Sequence, residues 1–107
     1  MDLIKKYGYA LSGEEIASRI KSVEENLPET ASPEVLKKCF SIMDLTTLKS
    51  NDTKASVKAL VEKANGVREA FPGYPLPASI CVYPNFASVV RDCRCCPELH
   101  VTTVAAC

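Results

Sequence analysis

The sequence predicts an α/β fold built on parallel strands, and three observations carry that prediction. The runs Met43-Asp44-Leu45-Thr46-Thr47-Leu48 and Ile80-Cys81-Val82-Tyr83-Pro84 are short and apolar, and each turns polar or meets proline at its C-terminal end. Parallel strands look like this where they deliver side chains to a site. The stretches that follow them carry helical periodicity, and a third apolar run, His100–Ala106, comes after Pro97. An order β-α-β-α-β implies parallel neighbours with right-handed crossovers. No internal repeat or low-complexity segment interrupts it.

The N-terminal part, residues 1–32, reads as a helical extension ahead of the sheet. Asp2 to about Gly8 can form a short helix. Ser12 and Glu15 make a capping box for a second, whose apolar stripe is Ile16, Ile20, Val23 and Leu27. Pro28-Glu29-Thr30-Ala31 is expected to break that helix. Ser32-Pro33 then opens a brief third one, with proline at the first helical position. Residues 33–107 form the second region, with strands expected at about 40–46, 78–83 and 100–106.

Across Phe40–Leu48 an extended chain puts Asp44, Thr46 and Leu48 on one face, so a carboxylate, a hydroxyl and an isobutyl group converge there. The plainer alternative is that Asp and Thr at a strand end bond the local backbone. Asn51 or Asp52 is expected to cap the next helix, which carries Val57, Leu60, Val61, Ala64 and Val67 on one face. Phe71-Pro72-Gly73-Tyr74-Pro75-Leu76-Pro77 reads as a surface loop, longer than the usual connection. Phe86, Val89, Val90 and Cys93 repeat at helical spacing after the second strand, and Pro97 ends that helix.

Thirteen basic and thirteen acidic residues cancel, which leaves no field to attract nucleic acid or an acidic membrane surface. No apolar run is long enough to span a bilayer, and Met1–Lys6 lacks the apolar core of a secretory signal. A cytoplasmic location is therefore expected, and the sequon at Asn51 goes unused. Of six cysteines, Cys39, Cys81, Cys93 and Cys107 lie in apolar contexts and read as small buried hydrophobes. Cys93-Arg94-Cys95-Cys96 with His100 nearby lacks the second ligand pair of a structural zinc site, so no metal is expected. A reducing compartment disfavours disulfides, and His100 reads as a strand start.

The stretch from Leu36 to Ala106 resembles the N-terminal portion of the deoxyribose-phosphate aldolase family. The resemblance rests on Phe40-Ser41-Ile42-Met43-Asp44-Leu45-Thr46-Thr47-Leu48, Asp52-Thr53, Val57–Val61, Ala78–Pro84 and Val101–Ala105. It implies the first three βα units of a TIM (β/α)₈ barrel, with the 71–77 loop an insertion at the bottom of the barrel, longer than the family's link. Such a barrel needs about 200–250 residues, and this sequence has 107. Three strands cannot close a barrel, so a truncated domain is expected. Its free edges predict association with the missing C-terminal part or with a second copy, as a homo-oligomer.

The resemblance further implies a class I aldolase that needs no cofactor and acts on a sugar phosphate. Such an enzyme cleaves 2-deoxyribose 5-phosphate to glyceraldehyde 3-phosphate and acetaldehyde through a lysine Schiff base. The reacting lysine must be neutral, hence desolvated or beside a cation. None of the nine lysines (5, 6, 21, 37, 38, 49, 54, 58 and 63) lies in an apolar strand run. The Schiff-base lysine, its partner lysine and the phosphate-binding loops of the family are thus expected in the missing part, and this chain alone is expected to be inactive.

By the same resemblance Asp44 is the catalytic carboxylate of the proton relay, Thr46 and Leu48 line the substrate pocket, and Cys81 stands at the top of strand two within it. Asp44, Thr46 and Cys81 are expected together at the C-terminal ends of adjacent strands. A nucleophilic Cys81 is disfavoured, because no oriented histidine follows it. Two other readings stay open: a non-catalytic α/β fragment acting in binding or assembly, and a cysteine-rich metal or redox module.

Overall fold

The computed structural model describes residues 3–8 and 11–105, the side chain of Lys5 excepted. The chain is α/β and divides into two compact units, Met1–Ser32 and Pro33–Cys107. Among the described residues no helix is long and apolar enough to cross a membrane.

The first unit contains helices α1 (Leu3–Tyr7) and α2 (Gly13–Thr30). The start of α2 is the predicted capping box: the Glu15 N–H donates to Ser12 Oγ at 3.2 Å, and the Ser12 N–H donates to Glu15 Oε2 at 2.8 Å. Pro28 does not break the helix, contrary to expectation. It lies in the last turn, where it costs one backbone bond. The Ala31 N–H still closes on the Leu27 carbonyl at 2.8 Å, and Thr30 Oγ1 donates to the Asn26 carbonyl at 2.9 Å. Asp2, where the first helix was expected to begin, lies outside the described residues.

The second unit begins with α3 (Pro33–Ser41), which has proline at its first position. This helix absorbs Phe40 and Ser41, which were expected in strand one. Short apolar runs do not distinguish helix from strand by periodicity alone; here Val35, Leu36, Cys39 and Phe40 sit at helical spacing and continue the helix opened by Pro33. Cys39 is exposed, not buried as its apolar neighbours suggested.

Three strands follow, β1 (Asp44–Thr46), β2 (Ser79–Val82) and β3 (His100–Thr103), in a parallel sheet of order β1-β2-β3. Asp44 pairs with Ser79 and Thr46 with Cys81; Ser79 in turn pairs with His100 and Cys81 with Thr102. Pairing continues one residue past each end, through the Ala78 N–H to the Met43 carbonyl and the Thr47 N–H to the Cys81 carbonyl, both at 3.0 Å. The strands are shorter than the apolar runs that announced them. Ala106, the expected end of the third, and Cys107 lie outside the described residues.

Helices α4 (Lys54–Asn65) and α6 (Ala87–Cys93) pack against the sheet. Thr53 is the N-cap of α4, in place of the expected Asn51 or Asp52. The Ser56 N–H donates to Thr53 Oγ1 and the Thr53 N–H to Ser56 Oγ, a reciprocal pair with serine at the third position. Asp52 is drawn elsewhere, into the turn before the helix. A short helix α5 (Val67–Ala70) follows α4. A 3-10 turn, Pro84–Phe86, leads into α6, which ends at Cys93, earlier than Pro97 predicted.

The core of this unit is Val57, Val61 and Ala64 of α4, Val90 of α6, Ile80 and Val82 of β2, and Leu76 and Leu99 from loops. Leu76 and Pro77 are buried, while Phe71 and Tyr74 remain exposed. The 71–77 segment is therefore a surface loop only in its first half. Its second half turns inward, led by Gly73 at φ 85°, and carries Leu76 beneath the sheet.

Candidate functional site

Successive residues of a strand point to opposite faces. In β2, Ile80 and Val82 turn toward α4 and α6, so Ser79 and Cys81 turn to the other face. Cross-strand pairing adds Asp44 and Thr46 from β1 and Thr102 from β3 to that second face. A continuous polar row results.

The row is hydrogen-bonded in one direction. Thr102 Oγ1 donates to Ser79 Oγ at 2.8 Å, and Ser79 Oγ donates to Asp44 Oδ1 at 2.5 Å. A serine hydroxyl has one proton; since the Asp44 carboxylate accepts it, Ser79 is left to accept from Thr102. Ser79 is only 2% exposed, the one buried polar residue among those described. Its burial costs little because both its donor and its acceptor are satisfied.

The sequence-predicted residues fall as follows. Asp44, Thr46 and Cys81 share a face, as expected. Asp44 is not at the C-terminal end of its strand, however; it is the first residue of β1, one side-chain level below Thr46 and Cys81. The Thr46 hydroxyl bonds its local backbone, donating to the Asp44 carbonyl at 3.2 Å, the plainer of its two readings. Leu48 does not extend the strand. It sits half-buried in the turn after β1, where its carbonyl accepts from the Tyr83 hydroxyl at 3.1 Å. Cys81 is a half-buried free thiol, in register with Thr46 on one side and Thr102 on the other. His100 opens β3 and is exposed.

Ser79 and Thr102 are the residues that sequence reasoning missed. Ser79 shares parity with Cys81, so the signal was present in Ser79-Ile80-Cys81-Val82. Thr102 needs the register between β2 and β3, which no local pattern supplies.

Asp52, read from the sequence as a helix cap, takes another part. It organises the turn at the C-terminal end of β1, accepting from Thr47 Oγ1 at 2.8 Å and the Lys49 N–H at 2.9 Å. The Thr47 hydroxyl is the main reason its carboxyl is held below the ordinary carboxylate value, with the Lys49 N–H, the Ser56 hydroxyl and the Lys49 charge adding to it against a partial desolvation. A cleft of about 320 Å³ opens beside it, lined by Thr47, Lys49, Ser56 and Lys63. Tyr83, reaching from the turn after β2 to Leu48, ties the two turns at this end of the sheet together.

At the other end a largely apolar groove of about 400 Å³ lies beside β1, lined by Phe40, Leu45, Lys63, Val67, Phe71 and Tyr74. No lysine with a described side chain is buried, and Lys37, half-buried, lies over the Tyr74 ring at 5.2 Å. Among the described residues no group of three or more His, Cys, Asp or Glu is arranged to hold a metal ion.

No family model matches the chain. Among curated proteins it is 28% identical over 103 residues to a Caenorhabditis elegans protein named "Putative deoxyribose-phosphate aldolase", a match covering 94% of this chain and 34% of that protein. The chain thus spans about a third of the length of that relative. The likeness extends across both units of this chain.

Proposed function

We propose that this chain is the first three βα units of a (β/α)₈-barrel deoxyribose-phosphate aldolase. In this reading it works together with the rest of the barrel, which brings the Schiff-base lysine and the phosphate-binding loops. The reaction is reversible cleavage of 2-deoxyribose 5-phosphate to glyceraldehyde 3-phosphate and acetaldehyde without a cofactor, in the cytoplasm. The observation that carries the reading is the polar row Asp44–Ser79–Thr102 on the sheet face opposite the helices. A parallel sheet covered by helices on one face curls so that its other face becomes a barrel interior, and an interior lined by a positioned carboxylate suits proton transfer.

In this assignment Asp44 serves the proton relay beside the reacting lysine. Thr46 and Cys81 line the pocket one level above, and Leu48 closes it from the turn after β1. No lysine with a described side chain is buried, which supports placing the Schiff base elsewhere, since desolvation is what favours a neutral amine. An assembly role without catalysis is the second reading, favoured by the apolar groove beside the free edge of β1.

Borohydride trapping in the presence of acetaldehyde separates the two. The chain alone is expected to give no adduct; co-expressed with the remaining two thirds of the similar nematode protein, trapping is expected on a lysine of the added segment. In that assembly Asp44→Asn should lower turnover by roughly 10²-fold or more, and Cys81→Ser by much less. An adduct on any lysine of the isolated chain overturns the proposal, and so does an assembled barrel that binds the chain yet never traps aldehyde.

A further inference from the structure

The turn between α6 and β3 holds two thiols in contact, and nothing in the proposed aldol chemistry uses them. The Cys95 thiol donates to Cys96 Sγ at 3.6 Å. Cys95 is exposed, while Cys96 is half-buried and packs against the core. The turn that carries them is held from both sides. Asn65 of α4 donates from Nδ2 to the Cys93 carbonyl and accepts from the Cys95 N–H at Oδ1, both at 2.9 Å. The Leu99 N–H closes the turn on the Cys96 carbonyl at 3.3 Å. Arg94 Nη1 adds bonds to the carbonyls of Pro97 and Leu99.

We propose that Cys95 and Cys96 form a redox-modifiable dithiol, closed reversibly to a vicinal disulfide by hydroperoxides. Exposure makes Cys95 the sulfur that meets the oxidant. The Cys95 sulfur attacks the peroxide oxygen, the O–O bond breaks, and the products are a sulfenic acid on Cys95 and an alcohol. Cys96 then attacks the Cys95 sulfur, and the displaced hydroxide leaves as water with the Cys96 proton. Two thiols lose two electrons and two protons, and the hydroperoxide is reduced to alcohol and water.

Glu98 fits the second step. Its carboxylate, hydrogen-bonded to the Cys96 thiol, is the main reason that thiol is held above its ordinary range. Glu98 itself is held below the usual carboxylate value, chiefly by its own backbone N–H and then by Cys96. Cys96 is therefore the protonated, resolving partner, with an ionised acceptor for its proton in place.

The adjacency of the two residues sets the reversibility. Neighbouring Cα atoms stand about 3.8 Å apart across a trans peptide, below the roughly 4.4–6.8 Å of ordinary disulfides. Closure therefore strains the 95–96 peptide, and strained disulfides are the readily reduced ones. The strained peptide adjoins the Cys95 N–H that Asn65 holds, so α4 registers the change.

The test treats the reduced chain with one equivalent of hydrogen peroxide, followed by trypsin, which cuts after Arg94. The peptide beginning at Cys95, which also carries Cys107, is expected to lose the mass of two hydrogen atoms and the alkylation sites at 95 and 96 while keeping the one at 107, and dithiothreitol is expected to restore both. The Cys95 amide should exchange faster in the oxidised chain. In Cys96→Ser, dimedone should capture a sulfenic acid on Cys95; in Cys95→Ser, it should capture nothing at position 96. A disulfide from Cys93 to either thiol, cross-linking only between chains, or unchanged alkylation of both thiols in the wild-type chain would each overturn the proposal.

Discussion

The two faces of the same three strands are built to opposite specifications. On the helix face, Ile80 and Val82 are fully buried against Val57, Val61 and Val90. On the other face, at the same strand positions shifted by one residue, Asp44, Ser79 and Thr102 form a chain of hydroxyls ending in a carboxylate. One face stabilises by excluding water from branched side chains that have little rotamer freedom to lose. The other gains little net stability from its hydrogen bonds, but it fixes where a charged group points. Stability and positioning are thereby assigned to alternate residues of one four-residue strand, and substitutions should separate them.

The largest expected effect is on the helix face. Ile80→Ala leaves a cavity among residues that cannot collapse around it and should cost about 3–4 kcal/mol in urea unfolding. A loss below about 1 kcal/mol would mean that β2 is not the centre of the core. Ser79→Ala comes next, at about 1–2 kcal/mol, because it unpairs the Thr102 hydroxyl and withdraws a donor from Asp44. In an assembled barrel it should also reduce turnover, by less than Asp44→Asn does. If Ser79→Ala lowers stability as much as Ile80→Ala does, the division of labour between the faces is wrong.

Asn65→Ala sharpens the comparison from outside the sheet. Its side chain spans from α4 to the turn after α6, and its loss should cost about 1 kcal/mol. Amide exchange at Cys95 should accelerate while exchange in β2 stays unchanged; acceleration spread evenly over the unit would refute a local clamp.

The smallest effect concerns Asp52, whose folded-state carboxyl is depressed below its ordinary value of 3.8. A depressed carboxyl adds stability above the unfolded value and loses it as pH falls through the folded one. Asp52→Asn should therefore destabilise the chain at neutral pH, and the gap from wild type should close in acid, below the ordinary value. A gap that widens on acidification would reverse the assignment of Thr47 and Lys49 as its partners.

Much of this arrangement was legible in the sequence. Asp44 and Cys81 were singled out because each sits in an apolar run with polar or proline punctuation, and the Ser12–Glu15 cap was found because its two members are local. Phe40 was misread because helix and strand compete for a short apolar run, and the helix opened at Pro33 reached it first. Thr53 was passed over as a cap because Asn51 and Asp52 offered equal side-chain chemistry. What decided between them was the set of donors at Thr47 and Lys49 that claimed Asp52. Leu76 looked like loop because prolines surround it, yet its burial depends on the underside of a sheet formed by residues far along the chain. Local chemistry reads locally, and register does not.

The central position of β2 has a kinetic consequence. Ser79 meets Asp44 across 35 residues and Thr102 across 23, and closing loops of those lengths differs by only about 0.4 kcal/mol in entropy. Neither closure has a clear head start, but both require β2. Side chains of β2 should therefore be engaged when the chain crosses its folding barrier, so substitutions there slow refolding. Substitutions in β1 or β3 should chiefly hasten unfolding. The strand that divides stability from positioning in the finished molecule is also the one on which its formation turns.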